Sequence, residues 1–143
     1  HELRQFITQR FQNPRHRPML VSLVSFGFRF GVPTDADVVI DVRFLPNPHF
    51  VASLRRHTGR DPRVARYIRS FPQTGEFLRR MDALLGYLIP HYIREGKSYL
   101  TIAFGCTGGR HRSVMMAESL RRALARRGFA VKVAHRDMEK SAP

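Results

Sequence analysis

The sequence predicts a single α/β domain with a largely parallel sheet flanked by helices, and three observations carry that prediction. Apolar runs of strand length recur at residues 19–26, 38–42, 100–104 and 129–134. Between them stand segments with apolar residues at three- and four-residue steps, the helical period. Short links around the last strand–helix–strand unit suit a parallel crossover. At 143 residues and 43 % hydrophobic content the chain can bury one real core, and is too short for two comfortable domains.

Residues 1–11 place Leu3, Phe6, Ile7 and Phe11 at helical spacing before Asn13, Pro14 and Pro18 interrupt them. Residues 1–18 therefore read as a helix and linker from an upstream domain, and the start at His1 rather than Met suggests a fragment. The domain proper spans residues 19–143. Its first strand, MLVSLVSF, runs into GFRFGVP, where two glycines, two aromatics and an arginine suit a ligand-facing loop or a plain turn. Asp35 and Asp37 precede the second strand, whose end leads into RFLPNPH. Pro46 and Pro48 bracket Asn47, so Arg43, Asn47 and His49 stand at set angles. Asp41 reads as a strand-end structural carboxylate paired with an arginine.

Residues 54–62 form a basic connection and 63–71 a short helix. The longest helical pattern, residues 74–94, has a core stripe of Phe77, Met81, Leu84, Leu85, Leu88 and Ile89. Thr74 is its expected N-cap, and Pro90 is expected to kink or shorten it. The last strand is followed by a polar tail, HRDMEKSAP.

The most informative stretch is YLTIAFGCTGGRHRSVMMAESLRRALARRG, residues 99–128. A strand leads into a loop from Gly105 to Arg112, and Ser113 opens a helix that Gly128 closes. Glycines turn backbone N–H groups inward, and the helix dipole favours a negative ligand. Arg110, His111 and Arg112 add donors, so a phosphate or phosphosugar pocket is expected here. The loop is not a Walker A sequence. Its Cys-x5-Arg-Ser pattern, Cys106 to Arg112 and Ser113, also resembles the signature loop of cysteine-dependent phosphatases. There a thiolate attacks phosphorus, and a cysteine beside cations at a helix N-terminus has the lowered pKa this requires. Locally, binding and hydrolysis are both open.

The formal charge of +14, from 25 Lys+Arg against 11 Asp+Glu, points to a polyanionic partner, nucleic acid being the commonest. The plainer alternative is an arginine-biased composition. One cysteine excludes an internal disulfide and fits a reducing cytoplasm. No long apolar span or leader indicates membrane insertion or secretion, and no metal or cofactor is expected.

SFGFRFGVPTDADVVIDVRFLPNPHF (25–50), SYLTIAFGCTGGRHRSVMMAE (98–118) and HRDMEK (135–140) together closely resemble the C-terminal domain of the RNase adapter RapZ family. The resemblance covers nearly all of the chain. In that family an N-terminal P-loop domain comes first. The resemblance implies a non-catalytic domain with a fold like a phosphofructokinase subdomain. Such a domain binds small regulatory RNAs, presents one to the endoribonuclease RNase E, senses glucosamine-6-phosphate, and belongs to a homo-oligomer. It places the ligand pocket on Ser98, Cys106, Thr107, Gly108, Gly109, His111 and Arg112, beside Ser113, with His49 as a functional histidine. The RNA contacts it implies are Arg110, Arg112, His49, His135, Arg136 and Lys140.

Two positions depart from the family pocket. Phe30 stands where the family has its sensing histidine, and Glu95 replaces an asparagine; a carboxylate pointing inward would repel phosphate. The tail ends in Ser141, Ala142 and Pro143 rather than in basic residues. Two readings from other classes compete with the regulatory one. A Cys106-dependent phosphatase would draw its general acid from Asp35, Asp37, Asp41 or Asp61. A pure oligomerisation module would bind no anion.

Overall fold

A computed structural model describes residues 19–140. The helix and linker expected over residues 1–18 lie outside the described residues, as do the last three positions of the tail. The elements run in the order β1 (Leu20–Gly27), β2 (Val38–Asp41), α1 (Pro62–Arg69), α2 (Pro72–Glu95), β3 (Tyr99–Cys106), α3 (Arg112–Arg126) and β4 (Ala130–His135). Single 3-10 turns occupy Phe28–Phe30 and Pro48–Phe50. All four strands are parallel, in the order β2-β3-β1-β4.

The strand alternation decides which face is buried. Register sets Val21 beside Leu100 and Val131, and Leu23 beside Ile102 and Val133. These residues share one face. Against it pack Ile68 of α1, Met81, Leu85 and Ile89 of α2, and Met115, Leu120 and Leu124 of α3. The other face carries Val39, Tyr99 and Lys132 as exposed residues. The three helices of the described residues therefore share one side of the sheet, whereas most parallel sheets are covered on both.

Several boundaries differ from the sequence reading. β3 continues through Gly105 to Cys106, because pairing with β1 holds to the Gly27–Cys106 position after the apolar signal has ended. α1 starts at Pro62 with Asp61 as its cap, the carboxylate accepting the Arg63 N–H at 2.8 Å. α2 starts at Pro72, a favoured first position for proline. Thr74 is thus not the cap; its buried hydroxyl donates to the Ile68 carbonyl at 2.7 Å and ties α2 to the end of α1. Pro90 does not end α2, which runs on to Glu95 with Ile89 and Ile93 packed in the core. Leu84, expected in the core stripe, is 50 % exposed, since the buried line follows four-residue steps through Met81, Leu85 and Ile89. Gly128 closes α3 as expected, at φ 93.

Candidate anion-binding site

β2, β3 and β1 are parallel neighbours whose ends align, Asp41 with Gly105 and Gly27 with Cys106. The segments after them therefore leave the sheet side by side, at the end where α/β sheets hold ligands. They enclose a cavity of about 600 Å³, the size of a small-molecule pocket. The β3 loop contributes Cys106, Thr107, Gly108, Arg110, His111 and Arg112. Asn47, His49 and Phe50 come from the segment after β2, and Arg29 from the one after β1. Arg55, Arg56 and Lys140 complete the wall, and no carboxylate lines it among the described residues.

Backbone contact shapes the loop. Gly109 has φ 77, and a Cβ there would lie 2.6 Å from the Gly27 nitrogen. A Cβ on Gly27 would lie 2.5 Å from the carbonyl carbon of Gly108. The loop thus lies directly on the end of β1, with no room for a side chain between them. Behind it, α3 begins without a side-chain cap. None of the turn or side-chain hydrogen bonds of the described residues takes the N–H of Arg112, Ser113 or Val114. A helix end of this kind offers donors and partial positive charge to an anion.

Arg112 is only 5 % exposed. Its Nη1 donates to the carbonyls of Arg43 at 2.7 Å and Leu45 at 3.2 Å, and Nη2 makes a long contact of 3.5 Å to Thr107 Oγ1. Those three bonds leave two of the five guanidinium donors for a ligand. The arginine therefore both clamps the β2 loop to the β3 loop and lines the cavity. His111 is buried, with Nε2 at 3.1 Å from the Arg55 carbonyl, so Nε2 carries the proton. Burial holds its pKa below the ordinary value, against the opposing effect of hydrogen bonds to the backbone at Arg55 and His57. His111 is a neutral wall residue that anchors the basic connection. Cys106 Sγ lies 3.2 Å from Ser113 Oγ, both buried.

His49 is exposed at the rim, edge-on to Phe50 with ring centroids 5.6 Å apart. Asn47 fixes that turn by accepting the His49 N–H at 3.1 Å, as the paired prolines suggested. Arg110 donates to the carbonyls of Met138 and Arg56. Gly109 and Ser113 lie beneath the cavity surface rather than on it. Phe30 stands outside the lining, its ring 4.9 Å from Lys140 Nζ.

The tail is held by Asp137, which is fully buried. Its carboxylate accepts the Gly27 N–H at 2.8 Å and bonds from Arg136 and Lys140, each at 2.7 Å. Burial alone would raise its pKa, but the bonds from Arg136, Gly27 and Lys140 prevail and lower it to about 2. A depressed folded-state value means stability that is present above the ordinary carboxylate range and lost as pH falls through about 2. That contribution is about 2 kcal/mol. Thermal melts of wild type and Asp137→Asn from pH 6 to about pH 2 should converge at the acid end. A constant gap between them would remove Asp137 as the titrating anchor.

Some predicted contacts are placed elsewhere. The His135 side chain is 3 % exposed, with Nδ1 at 2.7 Å from Ser25 Oγ and Nε2 at 2.7 Å from Glu118. It is a core histidine, closed off from a surface partner. Arg136 commits its guanidinium to Asp137 and the Gly31 carbonyl. Ser98 lies at the opposite end of β3, about 26 Å along the strand from Cys106. Ser98 therefore does not join the cavity within this chain, and Glu95, at the same far end, does not face it either. None of the four candidate acids lines the cavity. Asp41 pairs with Arg43, as expected, Asp37 with Lys97 and the Thr101 N–H, and Asp61 caps α1. Arg29, Phe50, Arg55 and Arg56 are lining residues that the sequence reading did not single out. Their signals were the arginine in GFRFGVP and the basic connection LRRHTGRDP.

A family profile described as RapZ C-terminal domain matches residues 19–139. A nucleotide-binding protein of Koribacter versatilis (strain Ellin345) is 65 % identical over 143 residues, covering 98 % of this chain and 47 % of that protein. One of Solibacter usitatus (strain Ellin6076) is 58 % identical over 99 % of this chain and 44 % of its own length. One of Geobacter metallireducens is 53 % identical over 98 % of this chain and 50 % of its own length. The chain thus spans about half the length of the curated relatives it matches.

Proposed function

The chain belongs to the RapZ C-terminal domain family, and from that premise we propose that it is a regulatory, non-catalytic domain binding a phosphorylated ligand and RNA at the loop after β3. The observation that carries this reading is a cavity lined by arginines and no carboxylate, set over an uncapped helix N-terminus. The phosphate would sit on the amides at the start of α3 and the free donors of Arg112. Arg29, Arg55 and Arg56 at the rim suit either a sugar phosphate or a nucleic-acid backbone. The ligand proposed is a phosphorylated amino sugar of the glucosamine-6-phosphate type. Further elements of the proposal rest on the family: presentation of small RNA to an endoribonuclease, homo-oligomeric assembly and a cytoplasmic location. Among the described residues no helix is long and apolar enough to cross a membrane.

RNA binding across a salt series, with and without glucosamine-6-phosphate, tests this on wild type and Arg56→Gln. Affinity should fall steeply with salt, and the sugar phosphate should weaken RNA binding to wild type. Arg56→Gln should reduce both effects without loss of stability. Negligible RNA binding near physiological salt, with no response to the sugar phosphate, would overturn the proposal.

Hydrolysis keeps one supporting observation, the contact between Cys106 Sγ and Ser113 Oγ. Against it, no carboxylate lines the cavity as general acid among the described residues, and Arg112 gives both Nη1 donors to the carbonyls of Arg43 and Leu45. Aryl phosphate turnover abolished by Cys106→Ser would reverse that preference.

A further inference from the structure

A second cavity, of about 410 Å³, lies between α1 and α3 on the far side of the basic connection. Its walls include Arg60, Arg66, Arg69 and Arg122, over Met115, with Glu118 at one side. Arg66 and Arg69 are three residues apart on α1 and so share a face, and Arg122 meets them from α3. Arg69 is held in place by donating to Ser119 Oγ at 2.6 Å. Burial and the like charge of Arg122 both lower its pKa.

The acidic group at hand is already committed. Glu118 accepts from His135 at 2.7 Å and lies 3.4 Å from Arg121 and 3.6 Å from Arg60. Arg66, Arg69 and Arg122 form no ion pair among the described residues. Guanidiniums gathered around a concavity whose one carboxylate, Glu118, is engaged by other partners repel one another, and an anion seated between them would remove that cost. The planar donor forks of arginine match phosphate oxygens.

Position adds a second argument. Arg55 and Arg56 line the first cavity, while Gly59 and Arg60 line this one. From Arg56 to Arg60 the backbone spans at most about 14 Å. Gly59 permits the close approach: a Cβ there would lie 2.6 Å from the Met115 nitrogen, inside the first turn of α3. The two basic cavities therefore flank the same stretch of helix, joined by a run of arginines.

We propose that the cavity between α1 and α3 is a second phosphate-binding site, separate from the one beyond the strand ends, taking a phosphate carried by an RNA backbone or by a small phosphomonoester. The test variant is Arg66→Gln/Arg122→Gln, which removes two guanidiniums that no internal carboxylate needs. Arg79→Gln/Arg80→Gln is the control, removing equal charge on α2, where both arginines pair with Glu76. Two readouts are taken on the whole chain. One is the side-chain Nε–H NMR signal of Arg69 during titration with inorganic phosphate. The other is anisotropy of a single-stranded oligouridine across a salt series.

The expected result is a saturable Arg69 shift that the double variant abolishes. If RNA carries the phosphate, the double variant also weakens oligouridine binding about tenfold and lowers the log–log salt slope by about 1 relative to the control. An Arg69 shift with oligouridine affinity equal to the control assigns the site to a small phosphomonoester. No saturable shift, together with RNA affinity no weaker than the control's, overturns the proposal. Because Arg69 reports on this cavity and Arg56 on the other, failure of either site is read separately.

Discussion

Replacing Gly109 with alanine is expected to lower the unfolding free energy by about 2–4 kcal/mol and to abolish phosphate binding at the loop after β3. Two costs combine. At φ 77 the residue is in the left-handed region, which an alanine occupies only with strain. The added methyl would also meet the Gly27 nitrogen at 2.6 Å and the Phe26 carbonyl carbon at 2.9 Å. Both are main-chain atoms of β1, which is paired on both sides and cannot yield cheaply. Relief requires the loop to lift, and lifting it moves the amides that would hold the phosphate. Gly108→Ala is the comparison: it has ordinary φ, and nothing stands within 4 Å of its Cβ. That variant should stay within about 1 kcal/mol of wild type. Urea unfolding and phosphate titration of both measure the effect. Equal stability of the two variants would refute the backbone-contact account of the loop.

Arg112→Ala should cost about 3 kcal/mol of stability and weaken phosphate binding about 10- to 100-fold. The stability loss arises because the carbonyls of Arg43 and Leu45 lose a charged donor, and Leu45 lies in the core. The affinity loss arises because the clamp between the β2 and β3 loops opens while a ligand-facing charge disappears. Arg112→Lys separates these effects. An ammonium restores the charge but lacks the planar fork that reaches two carbonyls and Thr107 together. It should recover part of the affinity and little of the stability. Full rescue of both by lysine would mean that the hydrogen-bond geometry is unimportant. Arg56→Gln supplies the opposite pattern, weaker binding with unchanged unfolding.

Most of the fold was legible because strand and helix periods are local signals. β1, β2, β3 and β4 all lie where the apolar runs predicted them, and α3 opens and closes within one residue of expectation. The misplacements have physical causes. Gly105 and Cys106 carry no strand pattern, yet pairing with β1 keeps them in the sheet. Thr74 has the chemistry of a cap, but Pro72 starts the helix first and leaves the hydroxyl to a tertiary bond. Pro90 is a breaker in isolation and is overridden by the core residues around it.

The sequence by itself determined the α/β architecture, the glycine-bearing loop ahead of a helix, and the excess of arginine. Tertiary structure alone decided which charges are free. His135 bonds to Ser25 across 110 positions, and Arg112 reaches Arg43 across 69. Such partners are set by strand order and register, which local periodicity does not encode. Ser98, just before β3, and Cys106, its last residue, are near in sequence yet stand at opposite ends of the sheet. Arg66, Arg69 and Arg122, from two helices, meet around one cavity.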